Sequence, residues 1–191
     1  MSKALKNTIA IIIILIISVS LGYVYEKTAT SFEKRSHPIK YAEEVTKYSN
    51  EYSVPPEIIF AVIKAESGFD SAAESEAGAI GLMQITPDTF EWIGTYRLRE
   101  NYPIAVLYDP DTNIKYGTYY LRYLYDRFES WDMAFAAYNA GPARMDGWLL
   151  NPEYISDNEI VHIPIEETRN YLHRVQKNIE AYKRLYFNTD Q

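Results

Sequence analysis

A chain of 191 residues, 47% apolar and 24% charged, has the length of one compact domain plus an appendage and enough material to bury a core. It contains no Cys, which excludes disulfides, thiolate chemistry and Cys-ligated metals, and its three His (His37, His162, His173) lack metal-site spacing. The formal net charge of -7 repels phosphate backbones and argues against nucleic acid as a partner.

At the N-terminus Lys3 and Lys6 precede an uncharged run from Thr8 to Tyr25 that includes an unbroken Ile/Leu stretch at 11–17. As a helix this run would be about 27 Å long, which suits a bilayer core. It is predicted to be a transmembrane helix over 8–25, with the basic end inside and the domain outside the cytoplasm. The competing reading is a cleaved signal peptide, but Ser18-Val19-Ser20 matches a small-x-small cleavage site poorly. Residues 1–25 therefore read as a membrane anchor and 26–38, polar and without helical period, as a linker. The folded domain is expected over 39–191.

From Ile39 the period is helical. Tyr41, Val45, Tyr48 and Tyr52 recur at three- and four-residue steps. Ser53-Val54-Pro55-Pro56 ends that helix and starts the next, because Pro fits a helix's first turn. The second helix, carrying Ile58, Ile59, Ala61, Val62, Ile63 and Ala65, is apolar nearly all round and so is expected at the centre of the core. It stops at Gly68. Residues 69–85 read as an irregular loop with a small hairpin. Thr86-Pro87-Asp88 caps a short helix through Trp92, and 94–108 gives no clear period. Asp109-Pro110-Asp111 opens a long helix with Ile114, Gly117, Tyr120, Leu121 and Leu124 on its apolar stripe. Ser130-Trp131-Asp132 opens another, which ends at Asn139-Ala140-Gly141-Pro142. A short basic segment around Arg144 leads into a loop over 151–164, and Ile165 to Tyr186 forms the last helix. The predicted fold is mostly α: a single helical domain with a small irregular loop, preceded by the transmembrane helix.

Glu66 stands out chemically. It is an acid at the C-terminal end of an apolar helix. Burial and the helix's partial negative end both disfavour its charged form, which is what a general acid near neutral pH requires. A solvent-facing Glu in a last turn is the plainer alternative. Tyr is abundant, 18 residues, and its flat face with a polar tip suits a wet sugar-binding groove as well as half-buried packing.

The surrounding pattern resembles the lytic transglycosylase family, the soluble-lytic-transglycosylase domain with a goose-type-lysozyme-like fold. The resemblance rests on Glu66-Ser67, Ser75 and Gly78 to Pro87, then Asp109-Pro110 with Asn113-Ile114, Gly117 and Tyr120-Leu121. It continues in Ala137-Tyr138-Asn139-Ala140-Gly141-Pro142 and Glu167-Thr168 with Tyr171. These blocks occur in the family's order over roughly residues 40–187. The resemblance implies cleavage of the β-1,4 bond between N-acetylmuramic acid and N-acetylglucosamine in peptidoglycan glycan strands, with no cofactor and no metal. Glu66 would first protonate the glycosidic oxygen and then, as carboxylate, take the proton from the muramyl C6 hydroxyl, closing a 1,6-anhydro ring. Ser75, Gln84, Tyr138, Asn139, Glu167 and Tyr171 match substrate-cleft positions, with Tyr138 the hydroxyl expected to orient the Glu. Gly78, Gly81, Gly117 and Gly141 serve backbone shape. Where many relatives carry Met two residues after the Gln, this chain has Thr86. Asp70, Glu74 and Glu76 are nearby acids; one of them across the cleft from Glu66 would favour a water-using muramidase. A non-catalytic glycan-binding scaffold of an envelope assembly is the third reading.

Overall fold

The computed structural model describes residues 3–157 and 159–187, with the side chains at 4, 6, 9, 10, 11 and 14 excepted. Asn158 of the predicted loop, the first two residues of the predicted anchor and the last four of the predicted domain lie outside the described residues. The chain divides into two units, Met1–Pro38 and Ile39–Gln191.

The first unit is one helix, α1 (Lys3–Ser36). It corrects the expectation of a transmembrane helix at 8–25. Among the described residues no helix is long and apolar enough to cross a membrane. The uncharged run is only part of α1, which is punctuated by Thr8, Ser18, Ser20 and Gly22 and continues without a break through Glu26, Lys27, Glu33, Lys34 and Arg35. Residues 26–36 are thus helical, although they lack an apolar period. A helix needs only its own backbone ladder, and an amphipathic stripe is needed only where it packs.

The second unit is a helical domain built from α2 (Ala42–Tyr52), α3 (Pro56–Glu66), α4 (Pro87–Ile93), α5 (Pro110–Phe128), α6 (Trp131–Ala140), α7 (Pro142–Leu149) and α8 (Glu166–Tyr182). A short strand pair, β1 (Ile155–Ser156) and β2 (Glu159–Ile160), lies in the segment expected to be a plain loop. Helix starts follow local chemistry. Thr86, Asp109 and Ser130 each accept a hydrogen bond from the backbone N–H three residues on, and Pro occupies the first turn of α3, α4, α5 and α7.

Helix α3 is the centre. Ile59, Ala61, Val62 and Ile63 are fully buried and Ile58 and Phe60 nearly so, so the segment predicted to be apolar all round is enclosed all round. Each large side chain of this set contributes about 1.5–3 kcal/mol of transfer free energy. Its principal partner is α8, where Tyr182 stacks on Phe60 with ring centres 5.4 Å apart and Asn178 donates to the Ala61 carbonyl. Helices α5 and α6 pack on each other, and α6 also packs on α8. The C-terminal end of α3 therefore points into a space bordered by loop 69–86, α6 and α8.

The segment without a clear period, 94–108, contains a π-helical turn (Gly94–Leu98) and a 3-10 turn (Ile104–Tyr108). Its hinge is Arg99, held at φ 56°. Glu100 anchors it to α5: its carboxylate accepts from Lys115 at 2.5 Å and from the Tyr116 hydroxyl at 3.0 Å.

Candidate active site

Glu66 is the last residue of α3. The helix ends there because Gly68 and Phe69 take φ values of +61° and +72°, which no helix can continue. The Ser67 hydroxyl then donates to the Leu82 carbonyl at 2.8 Å, fastening the helix end to the loop beyond. Part of the Glu66 side chain stays open to solvent, but the protein packed round its carboxyl penalises the charge. That desolvation raises its pKa from 4.5 to about 7, against a smaller opposing pull from the Tyr171 hydroxyl and the Arg174 guanidinium. Neither Asp70, Glu74 nor Glu76 is among the groups that perturb it. Those acids are exposed: Asp70 caps the turn at Ala72, and Glu74 accepts from the Tyr108 hydroxyl at 2.8 Å.

Loop 69–86 forms one wall. Its shape is set from α5 by Asn113, which is 1% exposed. The Asn113 amide donates to the Ile80 and Leu107 carbonyls, each at 2.8 Å, and its oxygen accepts from the Met83 N–H at 2.7 Å. Two glycines make room for this. A Cβ on Gly81 would meet Asn113 at 2.3 Å and the Leu107 carbonyl at 2.5 Å, and one on Gly117 would meet the Met83 sulfur at 2.3 Å. Ser75 is exposed and closes a tight turn, accepting from the Ala79 N–H at 3.0 Å. Gln84 is half-buried at φ 50°, and its amide donates to the Gly81 and Ala73 carbonyls at 2.9 and 3.2 Å.

The other wall comes from α6 and α8. The Tyr138 hydroxyl donates to the Met83 carbonyl at 2.8 Å, and burial first, then the nearby Glu66 charge, raises its pKa and holds it protonated. The hydroxyl that interacts with the Glu66 carboxyl is that of Tyr171, which is buried and has no hydrogen-bond partner of full geometry among the described residues. The hydroxyl of Tyr138, expected to orient the Glu, is instead bonded to the Met83 carbonyl. Asn139 accepts from the Thr168 hydroxyl at 2.8 Å. Glu167, the neighbour of Thr168, is exposed.

The structure therefore brings Glu66, Tyr138 and Tyr171 together, with Gln84 and Asn139 on one cleft of about 260 Å³ that Tyr138, Thr86 and Tyr120 also line. Of the expected site residues, Glu66, Tyr171, Ser75 and Glu167 do not themselves line that cleft; Glu66 and Tyr171 adjoin it through Tyr138. Thr86, the departure from the family pattern, spends its hydroxyl on capping α4 through Thr89. Three contributors carry no chemical signal of their own in the sequence: Asn113, Thr168 and Arg174. Asn113 had one structural hint, a polar residue on the apolar stripe of α5 one turn before Gly117. Arg174 lies one turn after Tyr171, with its guanidinium 5.9 Å from that ring. Among the described residues no cluster of three or more His, Asp or Glu side chains is placed to hold a metal ion.

The Transglycosylase SLT domain matches residues 43–161, which contain Glu66, the loop wall, Asn113 and Tyr138. The chain belongs to the transglycosylase SLT family. Among transglycosylase SLT relatives, the chain is 35% identical over 153 residues to the soluble lytic murein transglycosylase of Escherichia coli (strain K12), covering 78% of this chain and 23% of that protein. It is 28% identical over 178 residues to the membrane-bound lytic murein transglycosylase C of Sodalis glossinidius, covering 80% and 48%. The structure of an inactive glutamate-to-glutamine mutant of the lytic transglycosylase Slt from Pseudomonas aeruginosa superposes with a TM-score of 0.71 at 30% identity. That match covers 79% of this chain and 25% of the other. The chain thus spans from a quarter to about half the length of these transglycosylase SLT relatives.

Proposed function

We propose that this chain is a peptidoglycan lytic transglycosylase, cutting the N-acetylmuramic acid to N-acetylglucosamine β-1,4 bond without water. One observation carries the proposal: a single carboxyl, Glu66, is raised to about 7 by burial, and no second carboxylate perturbs it. A glycosidase that activates water or forms a glycosyl-enzyme uses two carboxylates about 5–9.5 Å apart. A lone Glu suits a reaction in which the substrate supplies its own nucleophile.

The steps balance on that one group. Protonated Glu66 gives its proton to the glycosidic oxygen as the C1–O bond breaks. The resulting carboxylate accepts the proton of the muramyl C6 hydroxyl, whose oxygen bonds to C1. The enzyme regains its starting protonation and the product is a 1,6-anhydromuramyl end. Tyr171 and Arg174 ease the carboxylate stage, since both favour the charged form. Tyr138 and Gln84 line the cleft, and Asn139, braced by Thr168, completes its α6 edge. In this reading Ser75 shapes the loop and Glu167 acts on substrate only from the rim. The Glu-to-Gln inactivation of the Pseudomonas relative supports the acid's role. The domain over 39–191 acts where the polymer lies, outside the cytoplasm.

Digestion of purified peptidoglycan by the chain, with mass spectrometry of the fragments, is the test. Anhydromuramyl ends are expected. Reducing muramyl ends would replace the proposal with a hydrolytic muramidase, and intact glycan would replace it with a binding scaffold.

A further inference from the structure

The cleft lined by Tyr138 and Gln84 adjoins further pockets. Thr89, Tyr120 and Pro142 line both it and a second pocket of about 360 Å³ whose walls include Trp92 and Tyr123. Tyr123 in turn borders a third pocket of about 410 Å³, also lined by Arg97, Arg122, Arg127 and Asp126. An aromatic trough thus leads from the cleft to three guanidinium groups.

The three arginines differ in what holds them. Arg122 is paired with Asp126 at 2.6 Å, one helical turn away. Arg127 is paired with Asp146 at 2.6 Å and donates to the Tyr123 hydroxyl at 3.1 Å. Arg97 has no carboxylate partner among the described residues. Its guanidinium lies over two aromatic rings, 4.9 Å from the centre of Tyr123 and 5.1 Å from Trp92. Stacking fixes the plane of the fork and leaves its edge donors for an anion of matching shape, which a carboxylate has. The setting makes this pocket stand out, because the whole chain carries -7. A polyanion would be repelled by most of this surface and attracted at this pocket.

We propose that the Arg97 pocket binds a carboxylate of the peptide stems that peptidoglycan strands carry on their muramyl residues. This rests on the reading of the chain as a peptidoglycan enzyme. Sugars lie along the trough over Trp92, Tyr120 and Tyr123, and a stem acid reaches Arg97, the one guanidinium of the three without a carboxylate partner among the described residues.

The test measures binding of purified glycan strands, with their stem carboxylates free or blocked as neutral amides, to the full chain carrying Glu66→Gln so that nothing is cut. Strands with free stem carboxylates are expected to bind about fivefold tighter, the scale of one exposed charge pair. Adding Arg97→Gln should abolish that preference, whereas Arg97→Lys, which keeps the charge, should retain part of it. Added salt should erode it. An unchanged preference in Arg97→Gln, or equal binding of both strands by the chain with Arg97 intact, overturns the stem site alone. Binding of neither strand overturns the peptidoglycan reading along with it.

Discussion

Two carboxylates sit at the edge of this domain's core, and they are held in opposite ways. Glu100, in the segment between α4 and α5, has a side chain 23% exposed, and its charge is met by Lys115 and by the Tyr116 hydroxyl. Glu66, at the end of α3, meets a Tyr hydroxyl without full hydrogen-bond geometry and feels one more distant guanidinium. The first arrangement satisfies a charge and tethers a loop. The second withholds satisfaction, so the proton stays on the acid up to about pH 7. Burial alone does not mark a chemical group; burial without an adequate partner does.

The comparison is broken most severely at Glu66. Glu66→Gln keeps the side chain's size but removes the transferable proton, so turnover should fall about a thousandfold with the helical circular dichroism unchanged. Activity within tenfold of the original would remove Glu66 from the chemistry. The same variant tests the electrostatics. A carboxyl raised in the folded state stabilises the protein below its unfolded value of 4.5, and that contribution is lost as pH rises through about 7. Between those pH values the original chain should lose stability relative to Glu66→Gln, on the order of 2–3 kcal/mol, readable by urea unfolding across pH.

Next in size is Asn113→Ala, which leaves the Met83 N–H and two carbonyls without their partner. A loss of about 3 kcal/mol is expected, or roughly 10 °C in Tm, with activity falling alongside. A loss below about 1 kcal/mol would mean that the loop wall is held elsewhere. Lys115→Met would convert the satisfied acid toward the unsatisfied kind. Because the pair is partly open, the cost should be about 1–2 kcal/mol, and the digestion products should not change. Smallest is Tyr171→Phe. It removes a group that favours the Glu66 charge, so the alkaline limb of the pH–rate profile should move upward by less than about one unit. A downward move would assign Tyr171 some other influence.

What could be read ahead of the structure was whatever is encoded locally. Thr86-Pro87, Asp109-Pro110 and Ser130 announce helix starts because a cap needs only its own next turn. The enclosed face of α3 and the placement of Glu66 at its end were legible for the same reason. The segment 94–108 was not, since its π and 3-10 turns have no 3.6-residue period and are fixed by Lys115 and Tyr116, far along the chain. Asn113 was visible as a motif letter, but its function depends on three backbone groups from two loops. The sequence pattern likewise named both Tyr138 and Tyr171, but not that the Tyr138 hydroxyl bonds the Met83 carbonyl while that of Tyr171 faces Glu66, because hydroxyl direction follows from packing between helices. At the N-terminus an eighteen-residue count suggested a span, and the helix that forms does not meet that requirement among the described residues.

One buried residue is held on both sides. Met83 is gripped at its N–H by Asn113 on α5 and at its C=O by Tyr138 on α6. The loop behind the cleft wall is thereby stitched to two helices that pack on each other. A residue so held has no local route to opening, so the Met83 amide should exchange with deuterated solvent only when the whole domain does. A glycan that settles against the adjoining Gln84 and Ile85 meets a wall already at rest. Its binding should therefore show a small ordering penalty, and the calorimetric signature should be that of a rigid mould.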